Sequence, residues 1–306
     1  MKLPVINTQA QEVKKIELPA QFAEPLREDI IQRAVVACQT NARQPYGAKP
    51  GAGMRASSEI SKRRRDFKGC YGHGISRMPR KALSGRGTRF SWVGATAPGT
   101  VGGRQAHPPK SWKIWNDKMN DLERLKAIRS ALSAVLNKTL VEKRGHIIPE
   151  KYPFILDNSF ENLEKTKELK KVLEAIGFKD ELSRTLTKKV SIGKAKIRGR
   201  KRKTGKSILF IVSKQCSLMR SAKNLIGIDV LPVNNISAED LAPGCTVGRV
   251  TLITEDAIEH IKKEMLFTKI KTKKIGKKAR AKKPLTIEKA EKNNKKPQKA
   301  PNARVN

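Results

Sequence analysis

Carboxylates are scarce in this chain: 28 Asp and Glu stand against 66 Lys and Arg, a formal net charge of +38. Cysteine is rarer still, with Cys38, Cys70, Cys216 and Cys245 scattered and no CxxC pair. That usage excludes a disulfide-stapled small scaffold and predicts reduced thiols in a cytosolic protein. Long apolar runs are missing as well. The longest, such as residues 208–212, fall far short of the ~20 residues that a membrane-spanning helix needs. No charged-then-apolar leader is visible, and the basic stretches lack the Trp/Phe/Leu faces of helices that lie on a bilayer. A membrane is therefore not an expected partner.

Catalytic and metal-binding groupings are equally thin. His107, His146 and His260 are isolated in the sequence, with no Ser/His/Asp or paired-carboxylate pattern around them. Cys70 and His73 have CxxH spacing, half of a metal site, but no second pair follows at a suitable distance, and a closed zinc site needs four ligands. GRKRKTGKS (residues 199–207) imitates a phosphate-binding P-loop. That loop requires four residues between its glycines, whereas Gly199 and Gly205 enclose five, and it should open a helix rather than run into an apolar β-rich stretch. No cofactor, no metal and no enzymatic activity are expected.

What is abundant is positive charge, and it is localised. Residues 43–115, 184–223 and 262–306 each carry a surplus of 14, while the remaining residues sum to −4. Three basic blocks are thus attached to 148 residues of near-neutral sequence, enough to bury a sizeable core. Charge concentrated in this way is the footprint of a nucleic acid.

The first block holds 12 of the 21 glycines and only two acids, Glu59 and Asp66. No apolar period is evident in it, so it predicts a segment with no core of its own. Arg63, Arg64, Arg65, Arg77, Arg80, Lys81, Arg86 and Arg89 alternate there with Gly, Ser and the rings of Tyr46, Phe67, Tyr71, Phe90 and Trp92. RNA is held by phosphate contacts and by base stacking on such side chains. Arginine suits the task because its planar fork matches phosphate and also stacks. In the second block, residues 190–206 space cations with small residues, which suits an extended backbone facing successive phosphates; a solvated charged hairpin is the plainer reading. No carboxylate occurs anywhere in 184–223.

Around these blocks the periodicity alternates. Two short strands (3–8 and 12–18) precede a helix over 26–41. A second helix is predicted over 116–141, so the insert leaves and re-enters one folded body. Beyond it come a strand at 154–156, a helix at 161–176 closed by Gly177, strands at 208–212, 228–233 and 250–253, short helical segments at 218–225 and 237–241, and a helix from Thr254 through Lys262. This order predicts an α/β layered domain with a mainly parallel sheet, Rossmann-like in topology but without a nucleotide site. Residues 263–306 are Lys-rich, broken by prolines and poor in apolar residues, the composition of a tail disordered when free.

At residues 99–110 the sequence reads GTVGGRQAHPPK. With PLRED (25–29), RQPYGAKPGAGMR (43–55), IRSALSAV (128–135), the basic 193–203, LAPG (241–244) and VTLITEDAI (250–258), it resembles the large-subunit ribosomal protein L-four family in its archaeal and eukaryotic branch. The resemblance spans roughly residues 3–262. It implies a globular rRNA-binding domain (1–42 and 116–262) and a loop (43–115) that reaches the nascent-peptide exit tunnel. The arms would be about 43–74 and 97–115 and the tip about 75–96, with a tail over 263–306. RKALSGRGTRFSWVG is richer in arginine and aromatics than the family's usual tip.

Carried onto this sequence, the expected RNA-binding residues are Arg43, Arg55, Arg63, Arg64, Arg65, Arg77, Arg80, Lys81, Arg104, His107, Lys110, Lys113, Lys194, Lys196, Arg198, Arg200, Lys201, Arg202 and Lys203. Arg86, Arg89, Phe90 and Trp92 are expected at the tunnel tip. The partners implied are large-subunit ribosomal RNA, neighbouring large-subunit proteins and the nascent peptide, with no homo-oligomer. A chromatin binder would need less Gly-rich irregular backbone, and an RNA-modifying enzyme would need a Gly-rich strand-to-helix turn that neither half supplies.

Overall fold

The structure, a computed structural model, describes residues 1–58, 60–87 and 89–268. Strands β1 (Lys2–Ile6) and β2 (Glu12–Glu17) lead into helix α1 (Glu28–Ala42). A hairpin of β3 (Arg80–Arg86) and β4 (Arg89–Gly94) follows within the insert. Helices α2 (Asp121–Val135) and α3 (Lys138–Lys143), strand β5 (Ile155–Leu156) and helices α4 (Thr166–Ile176) and α5 (Lys179–Leu186) come next. A small excursion is built from β6 (Lys189–Val190), α6 (Lys194–Ile197) and β7 (Arg202–Lys203). The chain closes with β8 (Leu209–Val212), α7 (Leu218–Ala222), β9 (Asp229–Pro232), α8 (Ala238–Leu241), β10 (Thr251–Thr254) and α9 (Glu255–Glu264).

Six strands form one sheet in the order β2-β1-β5-β10-β8-β9. Only β2 runs antiparallel to its neighbour, so the sheet is mixed and mainly parallel. Its order is not the 3-2-1-4-5-6 of doubly wound dinucleotide folds, which narrows the Rossmann-like expectation to an α/β layered domain. Strand β8 reads LFIV without a polar break because both its faces are covered. Side chains alternate across a strand: Leu209 and Ile211 enter a core with α1, α2, α8 and α9, while Phe210 and Val212 enter a second core with α4 and α7. Helices therefore cover both faces.

Several boundaries differ from the periodic reading. The helix expected over 116–141 begins at Asp121 and breaks after Leu136, because the Asn137 side chain accepts the Thr139 N–H (3.1 Å) and starts α3. The helix expected from residue 161 begins at Thr166. Glu161 sits instead in a 3₁₀ turn, where its carboxylate accepts the Ser213 N–H and O–H (3.1 Å each) and the Thr254 O–H (2.7 Å). Gly177 closes α4 in the left-handed region, as its sequence position predicts. Helix α5 was not anticipated: with few apolar residues it has little period to read, and it is fixed by buried Glu181.

At the C-terminal end α9 is followed by a turn in which Phe267 is buried and its carbonyl accepts from Arg129. The folded unit thus continues past residue 262. The expectation of a disordered tail falls mostly on residues 269–306, outside the described residues.

Candidate nucleic-acid interface

The insert leaves α1 and returns to α2 through a clamp of short-range contacts. The Asn41 amide donates to the Asp117 carbonyl (3.3 Å), and the Asp117 N–H donates to the Asn41 side-chain oxygen (3.1 Å). Just beyond, Tyr46 stacks on Trp115 with ring centroids 5.5 Å apart. The Arg43 guanidinium lies 3.8 Å and the Lys113 ammonium 4.2 Å from the Trp115 ring centroid, where the ring's negative face attracts cations. The two strands of chain then run close together. Ala48 N–H donates to the Pro109 carbonyl (2.9 Å). A Cβ on Gly47 would overlap the Ser111 backbone, and one on Gly53 would overlap Arg104. Only glycine permits that approach.

Further out, the expectation of a segment without regular structure is corrected. Arg80 to Gly94 forms an antiparallel hairpin, with Lys81 opposite Val93 and Arg86 opposite Arg89. The overlooked signal was a short alternation, Phe90 and Trp92 two residues apart, which places both rings on one face. Phe90 meets Phe67 and Trp92 edge to face, at 5.5 and 5.6 Å between centroids. Tyr46, expected to be offered to a base, is instead spent on Trp115.

Most of the expected RNA-binding residues lie exposed: Arg43, Arg55, Arg63, Arg64, Arg65, Arg77, His107, Lys110 and Lys113, with Arg86 and Arg89 on the hairpin. Arg80, Lys81, Arg104, Phe90 and Trp92 are half-buried. Arg80 turns inward and donates to the Ser76 hydroxyl (3.0 Å). Among the described residues, no cation of the insert is in an ion pair. Asp66 makes no ion pair with them; its oxygens accept from Ser61 and from the Phe67 N–H.

The second basic block divides in two. The cations flanking its excursion are drawn into the domain: Arg184 pairs with Glu181 (2.7 Å) and Lys206 with Asp229 (2.8 Å). Its middle, Lys194, Lys196, Arg198, Arg200, Lys201, Arg202 and Lys203, is exposed on the β6-α6-β7 excursion. Here the extended reading is corrected to a hairpin around a helical turn, pinned by Lys189 opposite Lys203 and by a Ser191 N–H to Lys201 carbonyl bond (2.8 Å).

Beneath this excursion lies a buried polar cluster that periodicity does not reveal. Glu181 accepts from Arg184, from the Ser207 hydroxyl (2.9 Å) and from the Ile147 N–H (3.1 Å), and contacts His146 Nδ1 at 2.8 Å. Burial alone would raise its pKa, but the hydrogen bonds from Arg184, His146 and Ile147 outweigh it and hold the carboxyl at about 2. Arg249, also fully buried, donates to the Ser207 and Asp240 carbonyls (2.8 and 2.9 Å) and pairs with Asp229 (2.5 Å). The arrangement anchors cations rather than reacting: two ion-paired clusters hold the domain end of a block whose outer charges stay free.

Residues 16–264 match the model of the ribosomal protein L4/L1 family. The chain is 43% identical to the large ribosomal subunit protein uL4 of Nanoarchaeum equitans, over 87% of this chain and all of that protein. It is 41% identical to the uL4 of Methanocaldococcus jannaschii, over 86% of this chain and 98% of the relative. Identity to the Archaeoglobus fulgidus uL4 is 38%, over 85% and 98%.

Proposed function

The chain belongs to the ribosomal protein L4/L1 family, in its archaeal and eukaryotic branch, and on that premise we propose how it serves as a structural constituent of the large ribosomal subunit. It is a component of cytoplasmic ribosomes and not an enzyme. In our reading the α/β domain (1–42 and 116–262) seats on large-subunit rRNA through the excursion carrying Lys194–Lys203 charges. The insert (43–115) follows RNA phosphates inward, and its hairpin contributes to the wall of the nascent-peptide exit tunnel. The tail (263–306) adds non-specific attraction to RNA, and neighbouring large-subunit proteins complete the surroundings.

The observation that carries this reading is charge without counter-charge: the exposed arginines and lysines of the insert and of residues 194–203 have no ion-pair partner among the described residues. Holding like charges together is unfavourable until a polyanion neutralises them, and counterion release from RNA supplies the affinity. A duplex-DNA binder would need less Gly-rich irregular backbone than the arms of the insert carry.

Removing residues 75–96 tests the division of labour. The shortened protein is expected to fold, to bind rRNA within about tenfold of the full chain and to enter subunits with an altered tunnel wall. Loss of rRNA binding by the domain itself would make the hairpin the main anchor and overturn the proposal.

A further inference from the structure

The insert's hairpin encloses a cleft of about 430 Å³ against the preceding turn. Its walls are the rings of Phe67, Tyr71, Phe90 and Trp92, and its rim carries Arg63 and Arg65. We infer that this cleft takes a single unpaired nucleobase extruded from RNA, held between aromatic walls with its flanking phosphates on the two arginines. The inference rests on the reading of the insert as RNA-bound and adds what that reading lacks, a site that recognises a base.

Three features favour this occupant. The volume lies at the lower end of the roughly 300–1,000 Å³ of small-molecule sites, which suits one nucleoside and is too small for a base pair. The walls are aromatic and the rim cationic, the two chemistries that together hold unstacked nucleotides. The rim also keeps a net positive charge: Arg63, Arg65 and Lys68 outnumber Asp66, the one acid lining the cleft. A passing peptide has no fixed anionic groups to match that rim.

The rings differ in availability. Phe67 is 70% exposed, meets Phe90 edge to face and has the Lys68 ammonium 5.6 Å from its centroid, which leaves most of the ring open to a ligand. Arg77 lies 4.6 Å from the Tyr71 centroid, packed against that ring. By contrast Tyr46 and Trp115 are stacked on one another at the base of the insert and offer less free face. Base recognition is thereby concentrated at the hairpin, and phosphate recognition is spread along the arms.

The test uses the full chain and two probes, single-stranded hexaadenylate and an abasic hexamer with the same phosphates. Trp92→Ala should weaken hexaadenylate about 5- to 150-fold, the equivalent of ~1–3 kcal/mol of stacking. It should leave the abasic probe within twofold. Phe67→Ala, which removes an exposed ring that the fold does not need, should act in the same direction. Arg63→Ala with Arg65→Ala should weaken both probes. In intact subunits, ultraviolet crosslinking should place a nucleotide on the peptide bearing Tyr71 or on that bearing Trp92.

If the ring variants weaken both probes equally, or neither, the cleft is not a base site. A Trp92 adduct found only on nascent peptide would overturn it too. In these cases undiminished binding of rRNA by the unaltered chain would leave the broader function standing. If the unaltered chain holds neither probe nor rRNA, both fall together.

Discussion

Single carboxylates decide where this protein's positive charge is anchored. Glu181 is buried and gathers Arg184, His146, Ser207 and the Ile147 N–H around one group. Because its pKa in the fold is about 2, below the ordinary 4.5, its contribution to stability is fully present above about pH 4.5. It is lost as pH falls from there toward 2. Glu181→Ala should cost about 1–3 kcal/mol at neutral pH, since it leaves the buried Ser207 hydroxyl and the Ile147 N–H without their acceptor. Urea unfolding midpoints should show the gap between the two proteins narrowing steadily from pH 5 to pH 2; a constant gap would mean that Glu181 does not carry the acid sensitivity. This cluster was invisible in the sequence. Glu181, His146 and Ser207 are far apart along the chain, and nothing in a lone Glu on a short helix marks it as buried. The exposed cations were legible, because a run of charges without acids reads the same folded or not.

Elements of the two kinds should differ in how they open. Strands β8 and β10 are covered on both faces and hydrogen-bonded to neighbours on both sides. Their amides should exchange only on global unfolding. The arms of the insert have few backbone hydrogen bonds and should exchange fast in the free protein. The β3–β4 hairpin should fall between them, since an isolated two-stranded ribbon is marginal in water. Hydrogen-exchange mass spectrometry of the free and rRNA-bound chain separates the three classes, and core-like protection of the arms without RNA would contradict the account. The core strands and helices α1, α2, α4 and α9 were readable because each has a clean period of 2 or 3.6 or an unbroken apolar run. The hairpin was missed because only Phe90 and Trp92 alternate, a signal too short to stand out among glycines and arginines. Helix ends slipped wherever a polar side chain, Asn137 or Glu161, found a better partner in the local turn or across the fold than in continuing the helix.

At the scale of the molecule, the charge divides into a paired interior and an unpaired exterior, and salt should report the second. Replacing Arg200, Lys201, Arg202 and Lys203 by alanine should lower the slope of log K against log salt by about 3 to 4 if each neutralises one phosphate, at roughly 0.7–0.9 per contact. The thermal midpoint should hardly move, since these side chains are exposed and not part of either hydrophobic core. An unchanged slope would show that the excursion points away from RNA. The sequence by itself determined the localised positive charge that calls for a polyanionic partner, the α/β class and the family, because charge density, periodicity and motif order are properties of the chain before it folds. Tertiary structure alone decided which cations are spent on the domain and which stay free, where the two arms of the insert meet, and that Phe67, Tyr71, Phe90 and Trp92 share one cleft. Those outcomes depend on distances between residues remote in sequence, and such distances exist only once the sheet and its helices have fixed them.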